Sequence, residues 1–132
     1  MKRLSLALVV LLMLGTLAWP AQISSILVHN ATAVAASGTG TSSAVDLRSL
    51  TQTGAFALHY TIAGSGTASL SFSQSATATG TFVTYATAIA TGKTAGTYYT
   101  PFAPPVAPYM KILATETGGA QGITVTARLV VQ

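Results

Sequence analysis

Near the C-terminal end of this chain, two runs alternate strictly between apolar and other side chains. Met110, Ile112 and Ala114 share one parity of the first run, and Ile123, Val125, Ala127, Leu129 and Val131 share one parity of the second. Between them lies Glu116-Thr117-Gly118-Gly119-Ala120-Gln121-Gly122, a stretch of turn-forming residues. A period of two sets one strand face against a core and leaves the other outside, a pattern no helix accommodates. Two such runs around a glycine-rich break predict an antiparallel hairpin. In the register that sets Met110 against Ala127, Tyr109 falls opposite Arg128 on the outer face. A cross-strand aromatic–cation pair of that kind contributes roughly 0.5–1 kcal/mol at an exposed site.

The same patterning recurs upstream. Phe56, Leu58, Tyr60 and Ile62 alternate with Ala57, His59 and Thr61, Ala63-Gly64-Ser65-Gly66 turns the chain, and Ala68, Leu70 and Phe72 then alternate with Ser69, Ser71 and Ser73. These runs predict a second hairpin, apolar on one face and hydroxyl on the other. Further strands are expected over 44–50, 82–90 and around Tyr98–Phe102, with Thr91–Gly96 as a break. Pro101, Pro104, Pro105 and Pro108 mark an edge or crossover, because proline cannot donate to a ladder. No stretch after Ala21 carries a helical apolar period with capping residues. The expectation is an all-β fold, an antiparallel sandwich or jelly-roll-like domain of seven or eight short strands over 44–132. Residues 22–43 precede it as an N-terminal arm or first strand and a Gly/Ser/Thr linker.

The N-terminus reads as an address. Met1-Lys2-Arg3-Leu4 leads into an apolar run and then small residues, the pattern of a signal peptide over 1–21 with cleavage near 18–21. Leu4–Ala18 is shorter than the about 20 residues a bilayer-spanning helix needs, so cleavage is favoured over a retained anchor. There is no cysteine, which removes both disulfides and a lipid-modified cysteine. Without Lys2 and Arg3, four cations (Arg48, Lys93, Lys111, Arg128) face two acids (Asp46, Glu116), a net +2. Four scattered cations make no basic stripe, so no nucleic-acid partner is expected. Charged residues are 6% of the chain where about 25% is usual. A surface of Thr, Ser, Ala and Gly lacks the repulsion that keeps neighbours apart, which favours an assembled or surface-attached protein.

Little in the chain carries chemistry. Asp46, Glu116, His29 and His59 are its acid–base side chains beyond the cations and tyrosines. A hydrolytic triad drawn from His59, Asp46 and a serine lacks a nucleophile-elbow spacing. Glycosidases need two flanking carboxylates, and calcium sites need clustered oxygens; Asp46 and Glu116 stand apart in sequence. Their expected roles are an ion pair at the surface and turn solvation. His59 falls on the outward parity. No catalytic, cofactor or metal residue is therefore assigned. Tyr99, also of outward parity, joins Tyr109 and Arg128 as a possible contact patch, for a sugar or for a protein.

Two stretches resemble a known kind of module. Gly66-Thr67-Ala68-Ser69-Leu70-Ser71-Phe72-Ser73, followed by a polar loop into Gly80-Thr81-Phe82-Val83, is similar to a motif of small β-sandwich domains in tailed-phage virion proteins and bacterial surface proteins. Pro108-Tyr109-Met110-Lys111-Ile112, Thr115–Gly119 and Ile123–Ala127 resemble their closing hairpin. This chain has Ala76-Thr77-Ala78-Thr79-Gly80 where those domains turn on an acidic residue and glycine. The resemblance implies a decorating or binding domain and brings no catalytic residue with it. The expected function is a non-enzymatic exported structural or interaction module, at the cell surface, outside the cell or in the periplasm, with a protein partner or self-assembly. A carbohydrate-binding module is the alternative. A small outer-membrane barrel is a further one, although eight spanning strands of about 10 residues fit this length poorly.

Overall fold

The computed structural model describes residues 22–50 and 54–132. The signal-peptide reading therefore lies outside the described residues. Ten strands follow in order: β1 (Ser24–Val34), β2 (Thr39–Thr41), β3 (Val45–Asp46), β4 (Phe56–Gly64), β5 (Ala68–Ser75), β6 (Val83–Thr84), β7 (Ala90–Lys93), β8 (Gly96–Phe102), β9 (Tyr109–Glu116) and β10 (Ile123–Val131). One turn of 3-10 helix, Leu47–Ser49, sits between β3 and β4. The strands form two antiparallel sheets. Sheet A runs β1-β10-β4-β8, and sheet B runs β2-β9-β5-β6 with β3 also on β9 and β7 also on β5.

The alternation places side chains as expected. Leu58, Tyr60 and Ile62 from β4 and Val125, Ala127, Leu129 and Val131 from β10 are buried against Leu70, Phe72, Met110, Ile112 and Ala114 of sheet B. Burying each of the larger side chains contributes roughly 1.5–3 kcal/mol. Aromatic rings pack together in one part of the core: the Phe102 ring centroid lies 5.6 Å from that of Phe72 and 5.9 Å from that of Phe56, and Phe72 stacks on Tyr85 at 5.1 Å.

Strand pairing differs from expectation. Neither predicted hairpin exists. β9 pairs with β5, whereas β10 pairs with β4 and β1. Each glycine-rich break, 65–67 and 117–122, is an arch that carries the chain from one sheet to the other. The physical reason is that alternation fixes which face is buried, and two strands facing each other across a core alternate as two paired strands do. Residues 85–89, expected as strand, are mostly bends and unassigned backbone, and Thr91–Lys93, expected as a break, belong to β7.

Proline and bulges mark the margins of sheet A. Pro101 lies in β8, an edge strand, and the segment 103–108 crosses from β8 to β9. The other edge, β1, carries register shifts between Leu27 and His29 and between His29 and Thr32, with Ala31 at φ 48°. β1 follows β10 along its length, and Val34 is part of the core.

Candidate functional site

The four acid–base groups hold four different positions. Glu116 is the last residue of β9 and shares the inward parity of Met110, Ile112 and Ala114, so its carboxylate points into the arched end of the sandwich and is 2% exposed. One oxygen accepts from the Ser37 and Gly119 amides at 2.8 and 2.9 Å; the other accepts from Thr67 and Gly118 at 3.2 and 2.7 Å. The Ser37 amide is the leading cause that holds its pKa down, to about 2. Turn solvation, the role expected from sequence, is thus corrected: Glu116 is a buried clamp across three chain connections.

Asp46 forms the expected surface ion pair. Its Oδ2 accepts from Arg48 Nη2 at 2.7 Å, and its Oδ1 accepts from the Arg48 backbone N–H at 3.0 Å, capping the 3-10 turn. The Arg48 hydrogen bond holds the Asp46 carboxyl below its usual range.

His29 is buried between the sheets. Its Nε2–H donates to the Ile112 carbonyl at 3.1 Å, leaving Nδ1 to accept from the Thr32 hydroxyl at 3.2 Å. Desolvation lowers its pKa, opposed by the Ile112 bond. The imidazole is therefore a neutral tie from edge strand β1 to β9. The unfolded chain takes up this proton first, so stability is full above the unfolded pKa and declines as pH falls below it. His29→Leu is expected to flatten the stability–pH profile just below about pH 6.5, measured by urea unfolding across pH 5–8. An unchanged slope would refute the tie.

His59 is the exception, exposed on the outer face of sheet A. There a single cross-strand row runs Leu27 (β1), Arg128 (β10), His59 (β4), Tyr99 (β8). Tyr99 is 62% exposed and its ring centroid lies 6.4 Å from that of His59. The next row is Thr126, Thr61 and Thr97, with the Thr61 and Thr97 hydroxyls bonded at 2.9 Å. A recess of about 90 Å³ opens between β10 and β4, lined by His59, Thr61, Thr126 and Arg128 among others. At one end of the same face, Ile23, Ala57, Tyr99, Pro101 and Val130 border an apolar hollow of about 180 Å³.

The expected contact patch is divided by these positions. Tyr99 and Arg128 share one face of sheet A, while Tyr109 belongs to sheet B. Tyr109 does not meet Arg128, because β9 and β10 lie in different sheets. Its partner is Arg48, whose guanidinium carbon sits 4.8 Å from the ring centroid and whose Nη2 donates to the phenol oxygen. His59, which links the other two residues, was legible by its parity. Its neighbours across the sheet were not.

No family model matches the chain, and no curated protein matches it in sequence. Among solved structures it is similar to a chain in the structure of infectious bursal disease virus, Gx strain, with a TM-score of 0.45 and 17% identity, covering 83% of this chain and 31% of that one. The chain thus spans about a third of that neighbour's length.

Among the described residues no three His, Asp or Glu side chains gather into a metal-binding group. No described helix is long and apolar enough to cross a membrane. The outer face of sheet A presents Tyr99, Arg128, His59 and a line of threonine hydroxyls.

Proposed function

We propose that this chain is a non-enzymatic structural or interaction module that is exported and meets its partner through the outer face of sheet A. The observation that carries the reading is the use made of its acid–base groups. Glu116, Asp46 and His29 each hold backbone or another side chain in place, and the one left facing outward, His59, stands in a row with Arg128 and Tyr99 on sheet A. A jelly-roll-like description is supported by the strand order, since β1-β10-β4-β8 facing β2-β9-β5-β6, with β7 also on β5, is a doubled Greek-key winding. The resemblance to tailed-phage virion and bacterial surface modules supports the same class. Apolar side chains inside and hydroxyls outside weigh against the outer-membrane barrel, whose band is apolar on the outside.

Expression of the full chain in a bacterial host, followed by fractionation and sizing, tests the proposal. The expected result is export and retention in a surface or high-mass fraction, with Tyr99→Ala plus Arg128→Gln releasing the folded protein from it. A monomer that stays soluble in the cytoplasm, or retention indifferent to both substitutions, would overturn it.

A further inference from the structure

The proposed interaction face has a chemistry of its own, and the chain's charge inventory narrows what it fits. Asp46 and Glu116 are the only acidic side chains in the sequence. One is tied to Arg48 and the other is enclosed by four amides. The Arg128 guanidinium, by contrast, makes no hydrogen bond or ion pair with the described residues, although its backbone lies in the ladders to β1 and β4. It borders the recess between β10 and β4 with His59, Thr61 and Thr126. Thr126 Oγ1 already accepts from the Ala31 amide at 3.2 Å, which leaves its hydroxyl proton free to point outward. The recess thus offers a guanidinium, an imidazole and a hydroxyl donor, with no carboxylate to oppose an incoming anion. The recess, about 90 Å³, is shallow and open to the outer face of the sheet. The guanidinium and hydroxyl donors at its rim suit a carboxylate.

A ring seated by such a carboxylate would lie over the open face, in the direction of Tyr99. This exposed ring is in the same cross-strand row, next to His59. Sugar C–H faces pack on aromatic rings, and their hydroxyls find partners in the Thr61 and Thr97 line. We infer that the outer face of sheet A binds an acidic oligosaccharide, its carboxylate in the Arg128–His59 recess and a neighbouring ring on Tyr99. This deepens the interaction reading given above and rests on it.

Two other occupants fit less well. A second copy of this chain brings no acidic side chain that is not already engaged, so face-to-face docking would set Arg128 against no side-chain counter-charge. An extended peptide added to a sheet edge needs unpaired, straight backbone. β8 carries Pro101, and β1 is bulged at two places.

Isothermal titration of the full-length folded protein with hexagalacturonate, maltohexaose and polyglutamate of matched charge tests the inference. Hexagalacturonate is expected to bind and maltohexaose to bind much more weakly. Arg128→Gln and Tyr99→Ala should each weaken hexagalacturonate about tenfold or more, and Arg128→Lys should weaken it less. Lys111→Gln, on sheet B, should leave it unchanged. Circular dichroism checks that each variant is folded. Absence of hexagalacturonate binding overturns the inference. So does an effect of Lys111→Gln equal to that of Arg128→Gln, which marks unspecific charge attraction. Polyglutamate binding as tightly, with no response to Tyr99→Ala, replaces the sugar with an acidic polypeptide. If none of these ligands binds while the retention assay still responds to the Tyr99 and Arg128 substitutions, the sugar is refuted and the interaction module stands.

Discussion

Replacing Glu116 with glutamine is expected to lower the melting temperature by roughly 10 °C or more. The carboxylate receives two backbone N–H groups on each oxygen, from Ser37 and Gly119 on one and from Thr67 and Gly118 on the other. Glutamine keeps the length but turns one oxygen into an NH2, which sets donors against donors on one side. Those amides are then unsatisfied in a buried position, the costly side of the hydrogen-bond balance. Aspartate preserves the charge but is one methylene short of the cage. Alanine leaves all four amides without their acceptor. The expected order of melting temperatures is Glu, then Gln and Asp, then Ala. A glutamine variant within about 2 °C of the parent protein would show that the clamp contributes little.

The same cage sets a pH dependence. The folded carboxyl titrates at about 2, below its ordinary value of 4.5. A carboxyl whose pKa is depressed on folding stabilises the fold fully above the unfolded value. That contribution is lost as pH falls through the folded value. Urea unfolding of the parent protein should therefore weaken steadily between about pH 4.5 and pH 2. Asp46 adds a slope of the same sign in parent and variant alike, so the difference between the two curves isolates Glu116. Parallel curves would refute the assignment.

Glu116 also shows how far the sequence could be read. The run Met110, Ile112, Ala114, Glu116 is one unbroken parity, and a strand cannot turn a single side chain outward without a bulge. A glutamate on the inward parity next to two glycines was thus a visible sign of a buried carboxylate wrapped by backbone. Gln74 continues the inward parity of Ala68, Leu70 and Phe72 in the same way, and it is buried with its amide donating to the Pro105 carbonyl at 2.8 Å. Strand partners were less legible, because they depend on which sheet each arch reaches. β4 and β5 face each other across the core, just as β9 and β10 do, and no local feature separates an arch from a hairpin at that loop length. The proposed interaction face inherits this difficulty: Tyr99, His59 and Arg128 are far apart in sequence and share a row only because β10 and β8 flank β4.

Gly66→Ala tests the arches from the steric side, with an expected loss of about 3 kcal/mol. A Cβ on Gly66 would lie 2.5 Å from the Gln121 carbonyl oxygen, 2.8 Å from Ile123 Cγ2 and 3.0 Å from Glu116 Oε1. The nearest of these is backbone of the β9–β10 arch, so no rotamer change relieves it. The two arches must move apart, and that movement lengthens the Thr67 amide bond to Glu116. The effect should couple to the clamp: Gly66→Ala and Glu116→Gln together should cost less than the sum of the two alone. Gly92→Ala supplies the control. Its φ is +62° and no atom lies within 4 Å of the added Cβ, so it carries only the conformational cost of about 1 kcal/mol. If the two alanines destabilise equally in urea, close packing of the arches does not limit this fold. If the costs of Gly66→Ala and Glu116→Gln simply add, the two arches are held independently and the shared carboxylate is not what joins them.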